Sequence, residues 1–181
     1  MIENSSEYRK NAPSPNDLRL DELDEEILWE LSRDARLTNS AIAAKLGVAP
    51  STALARTKAL AQRGILRGSH ATIDLPAVGL PIQAVIAVRL RAQARGELRS
   101  YAKKIVRLPQ VLSVYFLGGP DDFLIHLACT SPEQLRDFVA TQLSTDSAVA
   151  STQTNLVFDY IDAHDYPDSG GGFKAARSPL A

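Results

Sequence analysis

A single cysteine, Cys129, stands among 181 residues, which excludes an internal disulfide framework and a multi-cysteine zinc site. It lies in the apolar run LIHLAC, where a buried thiol is expected rather than a nucleophile. No apolar stretch approaches the ~20 residues that a membrane helix needs. The N-terminal MIENSSEYRKNAPSPND lacks the apolar core of a signal peptide. These absences predict a soluble, cytoplasmic protein with no membrane partner. Net charge is scarce too: twenty basic against twenty-one acidic residues leave −1, so bulk charge announces no polyanion partner. Catalytic signatures are also missing. The chain has no phosphate-cradling GxxxxGK before Ser or Thr, no GxGxxG and no nucleophile–base pairing, and neither enzyme activity nor a cofactor is expected.

What the chain does have is enough apolar residues, 45%, to build a core in one domain or two small ones. Its charge is unevenly placed. Residues 17–34 hold eight acids and two arginines, a local charge of −6. Residues 35–73 hold Arg36, Lys45, Arg56, Lys58, Arg63 and Arg67 with no acid, a local +6. This split fits either two complementary faces of one small domain or a polyanion footprint hidden by the overall balance.

Two periodic regimes follow one another. Residues 1–17 are polar, with Pro13 and Pro15, and read as a disordered arm. Leu20, Leu23, Ile27 and Leu31 then form one helical stripe, with Asp21 as N-cap. TNSAIAAKL predicts a second helix capped by Thr38 or Asn39 and ended by Gly47. Pro50 opens a third, PSTALARTKALAQR, which Gly64 closes. Two short helices joined by a tight glycine turn make a helix-turn-helix, and ILRGSHATIDL reads as a two-stranded wing. The first domain therefore spans 18–75, and PAVGLP at 76–81 is a hinge. Residues 82–162 alternate as strand, helix, strand, strand, helix, strand. Ala84, Ile86, Val88 and Leu90 share one strand face, a helix covers 96–107, and Ser131, Pro132 and Gln134 open another. The last strand is expected over 150–161. The order βαββαβ is ferredoxin-like, giving an α+β chain, and 163–181 reads as a flexible tail.

On the third helix, Ala53, Thr57, Leu60 and Ala61 fall at inward spacing, and Ser51, Thr52, Ala55, Arg56, Ala59 and Arg63 fall outward. Ser51 and Thr52 at the helix start can meet phosphates. Arg56, one turn further in, can reach a guanine edge or a phosphate, while Lys58, Arg63 and Arg67 fit backbone clamps on double-stranded DNA.

These segments resemble the winged helix-turn-helix of Lrp/AsnC (feast-or-famine) transcriptional regulators. The matching features are LDELDEEIL, DAR, LGVAPST, ALxQxGIL and the Gly79 hinge, in order. The βαββαβ half resembles that family's effector and oligomerisation domain, so the likeness covers residues 18–161. It implies a DNA-binding regulator without catalytic activity, responding to a small effector, an amino acid, and working as a homo-oligomer. Ala49 departs from the family's frequent serine N-cap, and Ala59 and Ala61 replace commonly charged positions.

The stretch GGPDDF, residues 118–123, allows several readings from its residues alone. It can be an ordinary turn. With His126 four residues on, Asp122 could also begin a metal site, although no second cluster supports one. The resemblance adds that Gly119, Asp121 and Asp122 line or shape an effector pocket where dimers meet. By the same match, Thr152 and Thr154 on the last strand face the ligand. A ferredoxin-like small-molecule-binding protein or enzyme with an accessory basic domain is the alternative, because this shape hosts many chemistries.

Overall fold

The computed structural model describes residues 20–161; the expected arm at 1–17 and tail at 163–181 lie outside the described residues. By internal contacts the chain divides into a unit reaching Ala71 and a second unit, Thr72–Tyr160.

The first unit is helical. Its helices are α1 (Glu22–Arg33), α2 (Asn39–Leu46) and α3 (Pro50–Gln62). Local chemistry sets each boundary. The Asp21 carboxylate accepts the Asp24 N–H at 2.8 Å, and the Thr38 hydroxyl accepts the Ala41 N–H at 3.1 Å, each satisfying a donor the helix leaves open. Gly47 ends α2 at φ +67°, the left-handed conformation that a side chain disfavours. Gly64 ends α3 by the same means: its N–H bonds the Ala61 carbonyl while the Ile65 N–H reaches back to Leu60. α3 begins on Ala49 without a side-chain cap, as its sequence implies. The core is Ile27, Ile42, Ala43, Ala53 and Leu60, flanked by Leu20, Leu23, Leu31, Leu46 and Ile65.

Two expectations fail here. Ala61 is exposed, so the fully buried residues of α3 are Ala53 and Leu60, with Thr57 half-buried beside them. Residues 65–75 form no strand, so the two-stranded wing is not formed. Ile65 and Leu66 pack into the helical core instead. That leaves Ile73, 54% exposed, as the one large apolar residue between Arg67 and Asp74. A lone two-stranded ribbon with no apolar face to bury is marginal in water.

The second unit is a sheet under two helices. Its elements are β1 (Ile82–Leu90), α4 (Leu98–Ile105), β2 (Val111–Phe116), β3 (Phe123–Cys129), α5 (Pro132–Phe138) and β4 (Val149–Val157). Strand order is β2-β3-β1-β4 with every neighbour antiparallel, the split arrangement expected from βαββαβ. Ala84, Ile86, Val88 and Leu90 face Tyr101, Ile105, Leu135, Phe138 and Leu143 from the helical layer, joined by Phe123, Ile125, Leu127 and Cys129 of β3. Each fully buried Ile, Leu or Phe here contributes about 1.5–3 kcal/mol.

The irregularities have local causes. The helix expected over 96–107 is a 3-10 stretch, Ala92–Glu97, followed by α4. After Phe138 the α5 helix widens into a π-turn, Val139–Ser144. The wider turn lets Leu143, five residues beyond Phe138, reach the same buried face. The strand expected over 150–161 stops at Val157. Its last pairing is Gln83↔Val157, near the start of β1, so later residues have no partner and Phe158 is 95% exposed. At the start of α5 the Ser131 hydroxyl accepts the Gln134 N–H at 3.3 Å, and the Gln134 side chain accepts the Thr130 N–H at 2.7 Å.

Candidate nucleic-acid interface and effector turn

The six basic residues of the 35–73 run are divided by what the folded chain does with them. Arg36 pairs with Asp34 at 3.5 Å, and Lys45 pairs with Glu30 across α1 and α2. Arg56 Nη1 donates to Asp21 Oδ2 and, at 3.1 Å, to Asp24 Oδ1. Arg63 lies 3.6 Å from the other Asp24 oxygen. Lys58 and Arg67 have no ion pair among the described residues, and both are exposed. Asp24 is the one charged residue buried among the described residues, 4% exposed. The hydrogen bonds it donates to Asp21 and then to Asp24 raise the Arg56 guanidinium above its ordinary value. The Asp24 N–H, and then Arg56, lower the Asp21 carboxyl.

The predicted DNA residues therefore fall into two groups. Ser51, Thr52, Lys58 and Arg67 are exposed. Arg56 and Arg63 are half-buried and turned toward α1. Asp21 and Asp24 were not singled out from the sequence as site residues. Their signal was the −6 segment beside the +6 segment, read as complementary faces.

In the second unit, the turn between β2 and β3 is tied into the sheet. The Asp122 carboxylate accepts the Leu90 N–H at 2.7 Å and lies 3.3 Å from Arg95 Nε. Its own N–H bonds Val88 O at 2.9 Å, and its carbonyl accepts from Leu117. Asp121 is 3.8 Å from Arg89. The two aspartates diverge, as adjacent residues must at the start of a strand. A Cβ built on Gly118 or Gly119 would meet nothing within 4 Å, so a ligand has room to approach that backbone.

Thr152 pairs with Val88 and Thr154 with Ile86, so both lie on the face whose β1 residues are buried under the helices. Arg89, which Asp121 approaches, alternates to the opposite face. Strand β1 also separates β4 from β3, a gap of about 10 Å at two strand spacings. Within one chain, the predicted effector residues do not converge on one point. His126 Nε2 lies 3.2 Å from Gln83 Oε1 on the sheet, and burial lowers its pKa below 6.5. Among the described residues no group of three His, Cys, Asp or Glu could hold a metal ion, and no helix is long and apolar enough to cross a membrane.

Comparison with known proteins decides what these two units are. A family model described as winged helix-turn-helix DNA-binding matches residues 20–67, and one described as Lrp/AsnC ligand binding domain matches 83–166. The HTH-type transcriptional regulator AldR of Mycobacterium tuberculosis is 46% identical over 165 residues, covering 89% of this chain and 92% of that protein. The chain belongs to the Lrp/AsnC family.

Solved structures carry the likeness into three dimensions. The crystal structure of MtbAldR is 44% identical, with a TM-score of 0.68 over 78% of this chain and 96% of that one. A Neisseria meningitidis transcriptional regulator, solved as an L-Met complex, is 31% identical, with a TM-score of 0.72 over 80% of this chain and 93% of its own. The Lrp/AsnC chain described here is accordingly a transcriptional regulator with a helix-turn-helix and a ligand-binding domain.

Proposed function

We propose that this regulator binds double-stranded DNA through α3, acts as a homo-oligomer in the cytoplasm without catalysis, and changes its DNA affinity when a small effector, an amino acid, binds the sheet unit. The likeness to a relative solved with L-Met is the observation that carries the effector part of this reading. Exposed Ser51, Thr52, Lys58 and Arg67 support the DNA part: hydroxyls at the start of α3 and cations farther along it and beyond its end suit phosphates.

In this reading the turn and the threonines serve the effector from different copies. Asp121 of one copy holds the α-ammonium, Asp122 keeps the turn in shape, and the Gly119 backbone N–H with the Thr152 and Thr154 hydroxyls of another copy hold the ligand's α-carboxylate. The divergence of these residues within one chain supports a pocket shared between copies. A ligand that prefers one assembly geometry then shifts half-site spacing, and DNA affinity with it, through its differential affinity.

Calorimetry with a panel of amino acids tests the effector, and gel shifts with and without the binding amino acid test the linkage. The expected result is one saturable amino acid whose presence moves the DNA affinity. A Thr152→Ala, Thr154→Ala double variant should lose that heat and keep DNA binding. Heat for no amino acid in the wild type would overturn the effector, and DNA binding that ignores a bound amino acid would overturn the linkage.

A further inference from the structure

An arginine nearly two turns into a recognition helix suits a base or a phosphate, yet Arg56 does something else in this fold. Its Nη1 donates to two carboxylates at once, Asp21 Oδ2 and Asp24 Oδ1. Asp21 is already committed through its other oxygen, which caps α1 at the Asp24 N–H, 2.8 Å away. Asp24 is nearly closed off from solvent, its side chain 6% exposed, and its second oxygen faces Arg63 at 3.6 Å. A buried carboxylate requires such partners, because an unpaired charge away from water is strongly unfavourable. The two arginines come from α3 and its C-cap, seven residues apart, on the side that faces α1.

The rest of the α1–α3 contact is thin in comparison. From α3 only Ala53 and Leu60 are fully buried, and from α1 the one fully buried apolar residue is Ile27. One alanine and one leucine fully buried on α3 specify its roll about its own axis only loosely, whereas a guanidinium between fixed oxygens has direction. We infer that Asp24, with Asp21, holds Arg56 as a clamp that sets the angle at which α3 is presented, so that Arg56 is a positioning residue for DNA binding and does not touch DNA. This rests on the reading of α3 as the DNA-facing helix. It assigns the direct contacts to Ser51, Thr52, Lys58 and Arg67.

The full chain tests this with a duplex enriched by the wild type from a random-sequence pool. Asp24→Asn keeps the side-chain size and Arg56→Gln leaves a shorter, uncharged polar side chain; these and the double variant are each assayed well below their own Tm, with helicity checked by circular dichroism. A clamp predicts that each single substitution weakens specific binding about tenfold. The double variant then loses no more than either single one, and the slope of log K against log salt stays at the wild-type value. Lys58→Ala, as the contrast, should reduce that slope by about one.

Other outcomes overturn the inference. A shallower salt slope or a relaxed preference at one base pair in Arg56→Gln, with Asp24→Asn unaffected, makes Arg56 a direct reader. Tighter binding by Asp24→Asn makes the carboxylates competitors of DNA. Additive losses in the double variant separate the two residues. Wild-type affinity in all three variants means that the ion pairs serve the fold alone. Failure of the wild type to enrich or bind any duplex brings down the DNA-facing reading itself, a result distinct from the others.

Discussion

The two units reach order by different balances of the same forces. The sheet unit buries a cluster of fourteen residues, among them Phe123, Tyr101 and Phe138, while the helical unit buries five, two of them alanines. The first can hold its geometry by shape alone, since close-packed large side chains interlock. The second has less to interlock, and charge pairs across α1, α2 and α3 supply the missing direction. Packing and charge thus divide the labour, and the charged residues that look most like DNA contacts are the ones the thin core recruits.

The largest expected effect probes the packed side of this contrast. Phe123→Ala removes a fully buried ring that lies 5.4 Å from the Tyr101 ring, and should cost about 3–5 kcal/mol. Urea denaturation can assign that loss, because the chain's only tryptophan, Trp29, lies in α1. Its fluorescence should report an unchanged helical unit while circular dichroism reports the weakened sheet. A parallel shift of both signals would break the distinction between the units.

Asp122→Ala comes next. It removes the acceptor of the buried Leu90 N–H, at about 1–3 kcal/mol, in protein free of any effector, while the half-exposed Arg95 turns to water. A ligand-free melting curve equal to wild type would return Asp122 to a purely ligand-holding role.

Gly47→Ala probes the helical unit at its tightest turn. Space is open there, nothing lying within 4 Å of a built Cβ, so the whole cost is the φ of +67°, about 1 kcal/mol. Trp29 fluorescence should follow that loss, and the sheet signal should not.

The smallest effect is a titration. Burial holds the folded His126 pKa below its ordinary 6.5, so the unfolded chain binds the proton more readily. The stability this group contributes is complete above pH 6.5 and is lost as pH falls through the folded value. The expected result is a sheet unit that melts lower as the solution is acidified below 6.5, a slope that His126→Gln flattens. An NMR titration of the His126 ring with its midpoint above 6.5 would contradict the direction.

Some of this was open to direct reading. The caps at Asp21, Thr38 and Ser131 and the stops at Gly47 and Gly64 join residues only a few positions apart, so their chemistry is written in consecutive letters. Alternation on Ala84, Ile86, Val88 and Leu90 likewise assigned the buried strand face, because side chains on a strand alternate whatever the tertiary context. The ordered family features pointed to a regulator, and the comparisons bear that out.

What no local pattern carried was partnership across distance. Arg56 reads as an outward cation until α1, more than thirty residues earlier, is folded against it, and Asp122 reads as a free carboxylate until Leu90 reaches it from β1. The end of β4 depended on where β1 begins, and the wing failed for want of an apolar face. Sequence by itself determined the helices and strands outside the wing, most of their caps, the buried face of β1 and the family. Only the tertiary structure decided which charges remain for a ligand or DNA, because an ion pair is settled by proximity in space, and residue spacing along the chain does not encode it.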